Sequence, residues 1–347
     1  HANCNYMAKR QLTRRQKWQI EKVQAERRAR AQKQDQAIDS AIEHGDLGPE
    51  QQGLIVAHYG SQIDVEAEQG TIFRCKLRSN LGHLVTGDKV SWRQAADQTG
   101  VIVARDPRHS ELSRPNKYGE LKPVAANIDQ IVVTIAPKPH TYANLIDRYL
   151  VAAEASAIEP IILLNKTDLL DAESEAHLAP MLARYEQLGY RVIRASTKTQ
   201  DGLEALLAAL NQRVSVFVGQ SGVGKSSLVN VLLPGTDLKV SALSEYHQQG
   251  IHTTTTARLF HFPNGGDLID SPGIREFGLW HMDADTLLEA FREFRPHLGY
   301  CKFSNCSHEH EPGCALLQAA EDGEIDPVRL ASYRQIKASL DEFDTHH

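Results

Sequence analysis

The sequence predicts an α/β chain: a parallel sheet covered by helices, with a small five-stranded β-barrel of OB type before it and a mainly helical, zinc-binding domain after it. Three observations carry this prediction. Short apolar runs alternate with helical patterns from Asn127 to Leu233, the signature of parallel strands joined by helices. Short alternating segments separated by glycine turns precede them, and Cys301, Cys306, His308 and Cys314 gather near the C-terminus. The expected division is 1–45 as a basic arm, 46–112 as the barrel, 113–285 as the α/β domain and 286–347 as the helical domain.

A chain of 347 residues suits two or three domains of roughly 100–200 residues each. Its net charge of −6 alone argues against a nucleic-acid partner, but the distribution reverses that impression. Ala8 to Gln36 is rich in Arg, Lys and Gln, lacks Gly and Pro, and reads as a disordered or partly helical arm. Arg10, Arg14, Arg15, Lys17, Arg27, Arg28 and Arg30 suit RNA phosphates, although a solvated charge run is the usual fate of such stretches. Trp18 suits base stacking or anchoring of the arm. No segment approaches the roughly 18 apolar residues that span a bilayer, and no signal peptide is evident, so a soluble cytoplasmic protein is expected. His1 to Tyr6 follow no recognisable pattern, and native translation is expected to begin at Met7. Cys4 and Cys75 are isolated, which does not suggest a disulfide framework.

The barrel is predicted from Gly53–Tyr59, Ser61–Glu68, Thr71–Leu77, Asp88–Trp92 and Gly100–Ala104. Such barrels bind single strands or proteins, and Arg74, Lys76, Arg78, Lys89 and Arg93 supply charge for the former. Asn127–Ala136 then opens the α/β domain as a buried strand, with helices expected over Asn144–Ala157, Ser174–Leu188 and Leu203–Leu210.

After the apolar strand Pro160–Leu164 comes Asn165-Lys166-Thr167-Asp168. An aspartate there accepts from the N1–H and 2-amino group of guanine, a pattern adenine lacks. Asn165 suits fixing the loop and meeting the far edge of the base, and the Lys166 stem suits the ring face. Such tetrapeptides also occur as plain loops. After the strand Arg191–Arg194, Ser196 lies where a small loop would donate backbone N–H to guanine O6, a loose match that also reads as a strand end.

The strand Arg213–Val218 runs into Gly219-Gln220-Ser221-Gly222-Val223-Gly224-Lys225-Ser226 and then a helix from Ser227. This is the strand, glycine-rich loop and helix of a phosphate loop. Its N–H groups cradle phosphate oxygens, Lys225 reaches the β- and γ-phosphates and Ser226 ligates Mg²⁺. Asp270-Ser271-Pro272-Gly273 follows, with Asp270 suited to a Mg²⁺-bound water and Gly273 to the γ-phosphate. Between them, Gly250-Ile251-His252-Thr253-Thr254-Thr255-Thr256 suits a first switch in which Thr254 or Thr255 meets Mg²⁺ and phosphate. The guanine motif precedes the phosphate loop, the reverse of the ordinary order, so the fold expected is a circularly permuted P-loop GTPase domain. Ile274 stands where a water-orienting glutamine would follow Asp-x-x-Gly, and His252 is the imidazole within the candidate first switch.

Cys301, Cys306, His308 and Cys314 suit a closed tetrahedral Zn²⁺ site that supplies folding energy, with His310 or His297 as competing nitrogen ligands. Val328, Leu330, Tyr333, Ile336, Leu340 and Phe343 approximate a helical packing face.

The motif order, the Gly-x-His-Thr-Thr-Thr switch and the flanking domains resemble, over nearly the whole chain, the bacterial RsgA (YjeQ) family of small-ribosomal-subunit-dependent GTPases. The resemblance implies a GTP hydrolase acting late in 30S subunit maturation and stimulated by the subunit. It implies that His252 replaces the missing glutamine, that His308 completes the Cys-x4-Cys-x-His-x5-Cys zinc pattern, and that Val85-Thr86-Gly87-Asp88 and Ser113-Arg114-Pro115 belong to an rRNA-binding barrel. The expected partners are GTP or GDP, Mg²⁺, one structural Zn²⁺ and the small subunit with its rRNA, for a monomer without membrane contact. The rival readings are an RNA-binding scaffold whose nucleotide is mainly structural, and a GTPase serving membranes or transport.

Overall fold

The computed structural model describes residues 47–59, 62–78, 81–115, 120–199, 201–235, 257–271 and 282–345, and before them the single helical residues Glu26, Asp35, Gln36 and Ser40. Apart from those four residues the basic arm lies outside the described residues, as do His252, Thr254, Thr255, Gly273 and Ile274.

A strand covered by helices on both faces is buried along its length and mostly apolar. β8 (Gln130–Ile135) has all six residues buried, and β9 (Glu159–Leu164) all but its first. With β10 (Arg191–Arg194), β11 (Val214–Val218) and β13 (Asp267–Asp270) they form parallel ladders, and β12 (Arg258–His261) adds an antiparallel strand beyond β13. The order is β10-β9-β8-β11-β13-β12. Parallel neighbours require crossovers, supplied by α1 (Ala143–Ala155), α2 (Ala172–Gln187) and α3 (Glu204–Leu210), while α4 (Lys225–Leu232) follows β11. Alternate strand residues point to opposite faces and build two cores. Ile131, Val133 and Ile135 pack with α1 residues Ile146 and Leu150, whereas Val132 packs with Leu206 of α3 and Leu228 of α4.

β1 (Glu50–Tyr59), β2 (Gln62–Ala67), β3 (Ile72–Leu77), β4 (Lys89–Gln94) and β5 (Thr99–Arg105) run in the order β1-β2-β3-β5-β4. Pairing of β1 with β4 closes the barrel, and β3 and β5 are parallel. Closure leaves an interior just wide enough for side chains. Trp92, fully buried, fills it against Phe73 at 4.6 Å between ring centroids and donates its indole N–H to the Gln52 carbonyl at 3.2 Å.

The barrel is not a separate bead. β1 pairs with β12 through Ala57 and Arg258, joining barrel and parallel sheet into one eleven-stranded sheet. A hairpin of β6 (Glu111–Pro115) and β7 (Leu121–Ala126), unmarked in the sequence, connects the two, and a division at residue 112 falls inside β6. Arg108, just before it, grips the fully buried Asp88 of the barrel with two bonds of 2.7 Å and Glu111 with one of 2.6 Å.

The C-terminal segment comprises α5 (Ala284–Glu289), a 3₁₀ turn Arg292–His297, α6 (Ala315–Glu321) and α7 (Pro327–Thr345). Leu330, Tyr333, Ile336 and Leu340 of α7 are buried as its spacing suggests, but Val328 is exposed and the neighbouring Arg329 is fully buried. Arg329 donates to Asp147 of α1 at 2.5 Å and to Glu293 at 2.6 Å and 3.2 Å, and its guanidinium lies 4.5 Å from the Phe291 ring. Tyr185 of α2 donates to the same Asp147 oxygen at 2.6 Å. A buried charge costs several kcal/mol in desolvation unless its partners are well placed, so this cluster fixes α7 against α1 in one register.

His261 closes the far end of the barrel seam, bridging Glu66 of β2 and Asp267 of β13 at 2.6 Å each. Burial lowers its pKa, but hydrogen bonds from its N–H groups to Glu66 and Asp267 outweigh that and hold it above 6.5. The folded value is raised, so the stabilisation is complete below the ordinary histidine pKa and is lost as pH rises through the folded one. An NMR titration is expected to give a His261 pKa above 6.5 that drops in Glu66→Gln. The Tm difference between the two proteins should shrink as pH passes that value.

Candidate functional site

The loops that carry the sequence motifs leave the C-terminal ends of β8, β9, β10, β11 and β13, the edge at which parallel α/β sheets bind ligands. Gly219 leaves β11 with φ 137°, and a Cβ there would lie 2.2 Å from the Thr134 carbonyl of β8. Gly224 caps α4 at φ 93°, and its Cβ would lie 2.6 Å from Asn165 Nδ2. Both positions require glycine on conformation and space. Val223 is buried and pins the loop, while Gln220, Ser221, Gly222 and Ser227 are exposed and Ser226 is half-buried. The Lys225 ammonium donates to the Gly219 and Gln220 carbonyls at 2.6 Å and 2.7 Å, so its charge sits inside the loop at the positive end of α4.

The Asn165–Asp168 loop leans on the same ground. Asn165 is buried, its N–H donates to the Ile135 carbonyl of β8 at 2.8 Å and its Nδ2 to the Val223 carbonyl at 3.0 Å. Lys166, in the left-handed region at φ 58°, lays its stem along Gly224 and donates to the Gly222 carbonyl at 2.7 Å. Thr167 donates through its N–H and hydroxyl to the Ala195 carbonyl, at 3.2 Å each, tying this loop to the one after β10. The Asp168 carboxylate is exposed and accepts from the Ser196 hydroxyl at 2.5 Å.

The Ser196 backbone N–H donates to the Gly202 carbonyl at 3.0 Å, and its hydroxyl, besides donating to Asp168, accepts from the Lys198 N–H at 3.0 Å. Thr134 and Ile135, whose carbonyls carry the two loops, gave no sequence signal because the contact is through backbone. Asp270 ends β13, half-buried and directly opposite Arg258 of β12.

In the C-terminal segment the donor atoms of Cys301, Cys306, His308 and Cys314 all lie within 4.8 Å of one another. Cys301 Sγ is 3.6 Å from His308 Nδ1 and 4.0 Å from Cys314 Sγ, and His308 Nδ1 is 3.3 Å from Cys314 Sγ. Those separations match the edges of a tetrahedron with metal–ligand bonds of about 2.0–2.3 Å, so the four side chains fit a metal ion. His297 pairs instead with Glu324 and His310 is exposed, which leaves His308 as the nitrogen donor. Burial lowers the His308 pKa and keeps the imidazole neutral, as ligation requires. Desolvation and the neighbouring Cys314 and Cys301 thiols push Cys306 up to about 12. Outside the cluster, Glu311 accepts from the Ser307 hydroxyl and from the Ser307, Glu309 and His310 N–H groups, and the Ala315 N–H points at Cys301 Sγ at 3.4 Å.

The sequence pattern of the RsgA GTPase family matches residues 105–280. Over 342 residues the chain is 59% identical to the small ribosomal subunit biogenesis GTPase RsgA of Ectopseudomonas mendocina (strain ymp), covering 97% of this chain and 100% of that one. The chain belongs to the RsgA GTPase family. The crystal structure of YjeQ from Thermotoga maritima matches it with a TM-score of 0.71 and 32% identity, over 84% of this chain and 99% of that one. YloQ, described as a circularly permuted GTPase, matches with a TM-score of 0.68 and 29% identity, over 85% and 96%. Circular permutation is visible in the sheet: the guanine-motif strand β9 precedes the phosphate-loop strand β11 in sequence, yet β11 lies inside the sheet between β8 and β13.

Two outcomes follow from this geometry. Asp168→Asn, which swaps one acceptor for a donor at an exposed position, should cut the preference for GTP over ATP by about tenfold or more, and competition binding with both nucleotides reads it. Stripping metal with a chelator should melt the Cys301–Cys314 loop and leave the parallel sheet intact. Because the Cys306 thiol is protonated without metal, reloading should release protons and tighten as pH rises, which calorimetry in buffers of different ionisation enthalpy measures.

Proposed function

We propose that this chain is a GTP hydrolase of small ribosomal subunit biogenesis, stimulated by the subunit and bound to its rRNA. The observation that carries the reading is the bonding of the Asn165–Asp168 loop directly onto the phosphate loop, which makes base and phosphates one recognition unit. The 59% identity to a small ribosomal subunit biogenesis GTPase supports the biological setting.

In this reading Asp168 accepts from guanine N1–H and the 2-amino group. The second hydrogen of Asn165 Nδ2 meets N7, and the Lys166 stem covers the ring. The N–H groups of Gly219 to Ser227 hold the phosphates, and Lys225 exchanges its two carbonyl bonds for phosphate oxygens. Ser226 ligates Mg²⁺ and Asp270 orients one of its waters, while Gly273 and Thr254 or Thr255 meet the γ-phosphate. Ile274 offers the attacking water no polar group, so His252 orients it. Zn²⁺ is the ion of the Cys301, Cys306, His308 and Cys314 site, and its role is structural because four protein ligands leave no open position. The arm at residues 1–45 and the barrel carry the rRNA contacts, and the protein works as a cytoplasmic monomer.

GTP hydrolysis measured with purified small subunits, large subunits, free RNA and anionic liposomes tests the proposal. Stimulation by small subunits alone is expected. Stimulation by liposomes favours a membrane GTPase, and no stimulation by any of them favours a scaffold. His252→Ala is expected to bind GTP normally and to lose about 10²–10⁴ of the stimulated rate; survival of that rate would remove His252 from the mechanism.

A further inference from the structure

β12 is four residues long, yet the barrel holds it at three points. Near its start the Thr86 hydroxyl, on a residue only 1% exposed, donates to the Ala257 carbonyl at 2.8 Å. In its first ladder position Arg258 pairs with Ala57 of β1, and at its end His261 bridges to Glu66 of β2. The register makes the middle contact directional. Ala57, Arg258 and Asp270 are successive partners across β1, β12 and β13, so one cross-strand row runs from the barrel wall to the aspartate at the phosphate-loop edge.

The turn that carries Thr86 is itself immobilised from both sides. Gly87 N–H donates to the Ile55 carbonyl of β1 at 2.9 Å, the Ala126 N–H donates to the Thr86 carbonyl at 3.0 Å, and Asn127 donates to the Gly87 carbonyl at 2.8 Å. A Cβ at Gly87 would lie 2.1 Å from the Ala126 carbonyl oxygen and 3.1 Å from the Ile269 side chain, next to Asp270. Any side chain at Gly87 would thus collide with Ala126, and the turn sits close against the Ile269 side chain of β13.

We propose that Thr86 is a positioning residue for hydrolysis: through Ala257 and the Ala57–Arg258–Asp270 row, the barrel sets where Asp270 stands relative to the phosphate loop. The inference rests on the Mg²⁺-organising role given to Asp270 above. It separates two properties that a merely structural seam would move together. The loops that hold guanine and the α- and β-phosphates hang from β9, β10 and β11, none of which pairs with the barrel, so GDP affinity is independent of Thr86. Hydrolysis is not.

The test compares wild type, Thr86→Val and Thr86→Ser in the full-length protein. Three quantities are read: subunit-stimulated kcat, GDP affinity, and amide hydrogen exchange over Leu259 to Ile269. Thr86→Val keeps the side-chain shape and removes the donor. It is expected to lower kcat about tenfold, a change of about 1.4 kcal/mol in the barrier, with GDP affinity unchanged and exchange in β12 and β13 faster. Thr86→Ser should restore both kcat and slow exchange. A kcat for Thr86→Val equal to wild type overturns the inference, as does a parallel loss of kcat and GDP affinity that serine does not rescue. Should Thr86→Val fail to fold, His261→Gln loosens β12 from its partly exposed end and is read by the same criteria. If wild type itself shows no GTP hydrolysis, the proposed function falls; exchange still judges the seam, and unchanged exchange in Thr86→Val overturns it.

Discussion

The bond from the Asn165 amide to the Val223 carbonyl is the constraint on which the nucleotide site depends. Asn165 follows β9 and Val223 follows β11, but these strands are not neighbours, because β8 lies between them. The end of β8 is therefore a platform that both loops must share. Asn165 rests on it through the Ile135 carbonyl, and the phosphate loop rests on it at Gly219, where the Thr134 carbonyl leaves no room for a Cβ. Gly224 then lacks a side chain because Asn165 and Lys166 occupy that space. Loops joined in this way pre-organise one another, so ordering the base contacts also orders the phosphate contacts.

Permutation leaves this arrangement untouched and decides what is attached to it. The barrel joins at the β12 edge of the sheet, and the C-terminal helical segment packs on α1 and α2 through Arg329, Asp147, Glu293 and Tyr185. The two attachments are held by different physics. The barrel seam is a backbone pairing flanked by the buried Thr86 bond at one end and the partly exposed His261 bridge at the other. The Arg329 cluster is a buried network, where removing one partner costs about 3–5 kcal/mol, so the helical segment is fixed in one register.

Much of this was legible because the informative signals are local. β8, β9 and β11 are dominated by buried apolar residues, the barrel segments alternate, and the phosphate loop combines glycine spacing with strand and helix context. What escaped was either non-local or masked by its residue types. The β6–β7 hairpin contains Pro115 and Pro123, which remove ladder donors and blur a strand pattern. The seam rests on residues about 200 positions apart, Ala57 and Arg258, and no window of sequence registers such a pairing. The burial of Arg329 has no local signal, because its partner Asp147 lies in another element. Among the three histidines that could have joined the cysteines, spacing left the choice open; the burial of His308 and the pairing of His297 with Glu324 decide it.

The central claim is that guanine recognition and phosphate binding form one mechanical unit, held by Asn165. Calorimetric titration of Asn165→Ala with GDP and, separately, with inorganic pyrophosphate tests it most directly, since pyrophosphate has no base to recognise. The account predicts that both affinities fall, by about tenfold or more, because the phosphate loop loses the amide that braces Val223. A protein that binds pyrophosphate as wild type does while losing GDP would contradict it.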